Sequence, residues 1–166
     1  MNDLITVGID LPNYPQLIEM GEQFLDEIAE QGCGIVKERS EYFLKEKSIE
    51  PPSFPPGLEP YKWTVNYLSS KGLLKKVKLK SSVTGPFTLA SYIKIQSGVF
   101  PFNTAISKIE LVRQIAEILY KSCRVFAENS YAISIDEPIL SVIIGRRLFF
   151  KYKEDDMVEI FNELKK

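Results

Sequence analysis

Between the runs KKVKLKSSV (residues 75–83) and YAISI (residues 131–135) the chain carries a helix too long for a hairpin connection. Over residues 104–129, Ile106, Ile109, Leu111, Val112, Ile115, Ile118, Leu119, Val125 and Phe126 form a broad apolar stripe at helical spacing. Val77, Leu79 and Val83 alternate in the first run, as in a strand with one buried face. Two strands joined through such a helix are parallel, because an antiparallel pair needs only a short turn. The order strand, helix, strand, helix therefore predicts an α/β fold with parallel strands.

The rest of the chain reads as more pieces of this kind. LITVGI, residues 4–9, has the composition of a short buried strand, and DLPNYP breaks it. Leu17, Met20, Phe24, Leu25 and Ile28 predict a helix over residues 16–31, stopped by Gly32. GIVKERSEYFLKEKS stays open: residues 34–37 suit a short strand, and residues 38–47 have helical composition. PPSFPPGLEP, residues 51–60, is half proline and predicts an ordered surface loop within one domain. YKWTVNYLSSKG resumes a helix that Gly72 ends. After the turn TGPFT, LASYIKIQSG predicts a short helix ending near Gly98. ILSVIIGRR is apolar without a clear period, and residues 153–166 predict a last helix with Met157, Val158, Ile160, Phe161 and Leu164 inward. A chain of 166 residues that is 45% apolar suits a single domain with its own core.

Composition narrows the chemistry. The chain has no histidine, so it cannot supply an imidazole base, a His-ligated metal, or a Ser-His-Asp or Cys-His nucleophile system. Its two cysteines, Cys33 and Cys123, make neither a disulfide framework nor a zinc site alone. Lys plus Arg is 21 and Asp plus Glu is 22, a formal net charge of -1, which gives no reason to expect a nucleic acid. The basic run Lys75, Lys76, Lys78 and Lys80 reads as a solvated strand entrance. There is no apolar run long enough to span a membrane and no signal-peptide pattern at the start. A reduced, cytoplasmic protein is the expectation.

Three places join a strand to polar, Gly or Pro chemistry: VGIDLPNYPQ, SVTGPFT and SIDEP. In parallel α/β folds, functional residues lie just past the carboxyl ends of strands. Asp136 and Glu137 end the last strand, Thr84 and Gly85 the middle one, and Tyr14 and Gln16 follow the first. Each has a plain structural alternative: a strand-end cap for Asp136, a tight βα turn for Thr84, Gly85 and Pro86, and a loop for Tyr14 and Gln16. Glu137 points away from Asp136 if the strand continues, because neighbouring strand residues alternate.

SSVTGPFTLASY followed by YAISIDEPIL resembles the catalytic half of cobalamin-independent methionine synthase, and more closely its shorter archaeal relatives. NYPQ, Asn13 to Gln16, is similar to the Phe-Pro-Gln that follows that family's first strand, without its serine and with two extra residues. The resemblance implies a (β/α)8 barrel of which this chain spans only the first half, in three to four βα units. It implies that Asp136 holds the amino group of homocysteine, with Glu137, Thr84, Gly85, Tyr14 and Gln16 around the same substrate pocket. It also implies methyl transfer to a thiolate activated by zinc, with the zinc ligands in the half that is missing; no cofactor is assigned to this chain. Arg146 and Arg147 could meet an anionic cosubstrate, or form ordinary surface ion pairs. A half-barrel leaves strand edges uncovered, so a homo-oligomer or a second half-barrel chain is expected. A non-catalytic binding or regulatory subunit for a small amino-acid or thiol ligand is the alternative.

Overall fold

The computed structural model describes residues 1–144, 150 and 152–164. It is a mixed α/β fold with two small sheets and, among the described residues, no closed barrel. The helices are α1 (Asn2–Thr6), α2 (Glu22–Glu30), α3 (Glu59–Ser70), α4 (Pro86–Tyr92), α5 (Ile109–Ala127), α6 (Leu140–Ile143) and α7 (Glu154–Glu163). The strands are β1 (Ile35–Glu38), β2 (Glu41–Leu44), β3 (Lys80–Thr84), β4 (Ile93–Lys94) and β5 (Ala132–Asp136). No helix is long and apolar enough to cross a membrane among the described residues.

β3 and β5 pair in parallel, Lys80 opposite Ala132 through Thr84 opposite Asp136. A third extended segment lies on the other side of β3. Lys80 donates its N–H to Pro12 O (2.9 Å), and Tyr14 N–H returns to Lys80 O (3.2 Å), bridging Asn13 to Lys80 in parallel. This segment corrects the strand expected over residues 4–9, which instead begins with helix α1 and leaves Val7 and Ile9 exposed. Proline lacks an N–H, but at the edge of a sheet its carbonyl suffices. Three parallel segments thus lie side by side in chain order.

The second sheet replaces two expected helical stretches. β1 and β2 form an antiparallel hairpin, and β2 continues in parallel with β4. The pattern of Tyr42 buried between exposed Glu41 and half-buried Phe43 has the period of a strand rather than a helix. α4 accordingly stops at Tyr92, and β4 joins β2. α2 starts at Glu22 rather than at residue 16, because the Glu19 carboxylate takes the N–H groups of Gly21 (2.7 Å) and Glu22 (2.9 Å) and so caps the helix there. Leu17 stays outside it, 88% exposed.

The core is gathered around α5, whose Val112, Ile115, Ile118, Leu119 and Phe126 are wholly buried. Phe87 and Leu89 of α4, Val83 of β3 and Ile160 of α7 pack into it. Val158, expected inward, lies on the outer face of α7 at 56% exposure. The proline loop is tied down by side chains: Ser122 Oγ donates to Pro56 O (2.8 Å), Gln23 Nε2 to Gly57 O (2.9 Å), and Gln31 to and from Phe54. Gly57 has φ +77 and stands so close to the Phe24 ring that a Cβ would fall at 2.3 Å from it. Only glycine fits there.

Candidate functional site

Thr84 and Asp136 pair at the carboxyl ends of β3 and β5, with Gly85 and Glu137 just beyond, whereas Tyr14 and Gln16 follow Asn13, which pairs with Lys80 at the amino end of β3. Proximity there does not mean availability. Glu137 turns away from its neighbour and clamps α4: its carboxylate accepts Phe87 N–H (2.8 Å), Thr88 N–H (2.7 Å) and the Thr88 hydroxyl (2.6 Å). Gly85 leaves room for this clamp, since a Cβ on it would meet the Glu137 carboxyl at 2.3 Å. Gly85 N–H donates to Asp136 O (2.9 Å), which locks the two strand ends together. Burial pushes the Glu137 carboxyl up to about 7, while the Thr88 hydroxyl and the two backbone donors pull it down.

Tyr14 is a core residue. It is 1% exposed and lies between rings: stacked on Phe126 at 5.8 Å and edge-on to Tyr61 at 6.3 Å. Its hydroxyl donates to Ser82 O (2.8 Å) and accepts from Gln23 Nε2 (2.9 Å). The phenol is pushed up to about 12, chiefly by burial; Gln23 and Gln16 pull it down, and the charge of Asp136 adds to the rise. Gln16 is half-buried, bonded to Asn13 (3.3 Å) and Gln23 (3.5 Å). Thr84 is 1% exposed and donates its hydroxyl to Met20 O (2.8 Å), which ties β3 to the approach of α2. Asn13 keeps its buried Oδ1 without a hydrogen-bond partner among the described residues.

Asp136 differs from all of these. It is half-buried at the end of β5, and among the described residues its carboxylate has no hydrogen bond and no ion pair. The structure thus separates two adjacent carboxylates: one is a structural cap, and the other is open to a donor. Comparison with protein-family models, with curated proteins and with solved structures finds no match.

The described residues do not fit zinc. Among the described residues no three His, Cys, Asp or Glu side chains are grouped to hold a metal. Cys33 and Cys123 are both buried; burial pushes the Cys123 thiol up to about 11, the opposite of what a metal ligand or nucleophile requires. Arg146 and Arg147 lie outside the described residues. Two residues of this region were not singled out from the sequence. Thr88 sits inside the motif VTGPFTLA, and Gln23 is a polar residue on the buried face of α2, 3% exposed. A polar side chain set next to the apolar positions Phe24 and Leu25 was the available signal.

Proposed function

We propose that this chain is the amino-terminal half of a methionine synthase-like barrel, and that Asp136 holds the ammonium group of a thiol amino acid such as homocysteine. One observation carries the reading. The three motifs of the resemblance fall on three neighbouring parallel segments, in chain order, and at the carboxyl end of β5 Asp136 has no hydrogen bond or ion pair to its carboxylate among the described residues. Strands laid side by side in chain order are what the first half of a (β/α) barrel requires, and in such a barrel the chemistry belongs at the carboxyl ends of the strands. A half-buried carboxylate beside the buried Tyr14 ring favours a cation over a neutral partner.

Glu137 has no substrate role in this reading, because its oxygens are taken up by α4. The family's zinc would supply thiolate activation; among the described residues no three His, Cys, Asp or Glu side chains are grouped to hold it. The outer edge of β5 is unpaired among the described residues. This supports a second chain, either the other half-barrel or another copy.

The test is a calorimetric titration with homocysteine under reducing conditions, repeated with 3-mercaptopropionate, which has no amino group. Asp136→Asn is expected to weaken homocysteine binding about tenfold or more, in line with ~1.5–3 kcal/mol for a hydrogen bond to a charged group. Equal binding of the two thiols, or an unchanged affinity in D136N, would remove Asp136 from the site.

A further inference from the structure

The edge of β5 has a pattern that fits a second copy of itself. Gly85 N–H donates to Asp136 O, so Ala132, Ser134 and Asp136 turn their backbone groups towards β3. Their alternates, Ile133 and Ile135, turn N–H and C=O outward. Ala132–Asp136 has no lysine, proline or bulge to protect its edge. All five residues are half-exposed. Beside it runs a groove of about 790 Å³, lined by Tyr120, Cys123, Ile133, Ile135, Phe161 and Leu164.

Charge selects the partner. Lys80 and Asp136 lie at opposite ends of the same sheet face, which also carries Ser82, Ala132 and Ser134; Ser82 and Ser134 meet there at 3.1 Å. Neither Lys80 nor Asp136 has an ion pair among the described residues. The geometry points to a two-fold dimer in which β5 pairs antiparallel with β5 of a second copy, centred on Ser134. This inference rests on the self-association proposed above and names its register. Ile133 of one copy then exchanges backbone hydrogen bonds with Ile135 of the other, and their side chains meet at the mouths of the two grooves. Ser134 faces its own copy as a non-hydrogen-bonded pair. Asp136 faces Ala132 of the second copy, and beyond that small side chain lies Lys80 of the same copy. Two strand spacings, roughly 10 Å, are within reach of a lysine and an aspartate side chain together. The two-fold makes the pairing twice. A shift of the centre by one residue brings Asp136 opposite Ser130 or Ser134 instead of Ala132 and loses both ion pairs.

Lys80 of the second copy and a ligand ammonium are alternative cations for one carboxylate, so the dimer is the ligand-free form. The test uses sedimentation equilibrium and cysteine cross-linking on the full chain. The protein should be a dimer at micromolar concentration. Ser134→Cys should form an intermolecular disulfide on mild oxidation, since Cα atoms of a non-hydrogen-bonded pair lie about 4.5 Å apart, whereas Ser141→Cys should not. Lys80→Glu should raise the dimer Kd about tenfold or more, as two attractions become repulsions, and K80E/D136K should restore it. A dimer that S134C does not cross-link, or that K80E leaves intact, overturns this register and leaves self-association standing. A monomer overturns both. Homocysteine titrated into K80E tests the pocket independently of the dimer.

Discussion

Glu137 and Asp136 are adjacent carboxylates with opposite fates, and the difference comes from where each side chain ends. Glu137 reaches three donors at the start of α4 and fills the space above Gly85. Gly85→Ala should therefore destabilise the protein by about 1–3 kcal/mol, the usual effect of overpacking. Glu137→Ala alone should cost about 1–3 kcal/mol, because it orphans the N–H groups of Phe87 and Thr88. The double variant should cost much less than the sum, since the three atoms nearest the new Cβ all belong to Glu137. Denaturant unfolding of the four proteins closes this cycle, and strict additivity would contradict the clamp. The same residue sets a pH dependence. Its folded-state value is raised to about 7 from 4.5, so the native state holds a proton that the unfolded chain has released. Its stability contribution is present below about pH 4.5 and is lost as pH rises through about 7. Glu137→Gln should flatten the stability profile over that window.

At the scale of elements, α5 organises the fold because its apolar stripe is broad enough to serve several neighbours. It packs against α4, β3, β5 and α7. α7 is held to it by two kinds of contact of unequal worth. Arg113 pairs with Asp156 (3.3 Å), Glu159 (2.7 Å) and Glu163 (3.7 Å) on the surface, while Ile160 is fully buried. Exposed pairs contribute about 0–1 kcal/mol, and a buried Ile→Ala change costs about 2–5 kcal/mol. Ile160→Ala should accordingly lower the thermal midpoint far more than Arg113→Ala. Similar losses in the two would mean that charge, not burial, docks α7.

On the scale of the whole molecule, two small sheets share one core but differ in their edges. β2 is covered on both sides, by β1 and β4. Among the described residues β5 is covered on one side, with its strand residues half-exposed and an apolar groove beside them. An unpaired edge next to an apolar groove is the arrangement by which a chain recruits another strand. The dimer reading depends on this edge, whereas the pocket reading depends on the free Asp136 carboxylate, so Lys80→Glu separates the two.

What the sequence by itself determined was local and periodic. The long amphipathic helix, the strands around Val83 and Ile135, the proline loop and the turn at Gly85 follow from side-chain spacing and backbone chemistry alone, and each is present. Thr84 and Asp136 end up paired, with Gly85 and Glu137 beside them, because the ends of neighbouring parallel strands lie together. Tertiary structure decided the rest. Residues 4–9 lost the edge position to the segment around Asn13, whose neighbour Pro12 offers the carbonyl that Lys80 needs. Residues 41–44 became a strand because β4 was there to pair with them. Among the candidates, Tyr14, Thr84, Gly85 and Glu137 turned out to hold the fold and Asp136 was left open, a distinction no motif encodes. Hydrogen-bond partners come from distant parts of the chain, and which polar atoms they satisfy depends on how the elements pack.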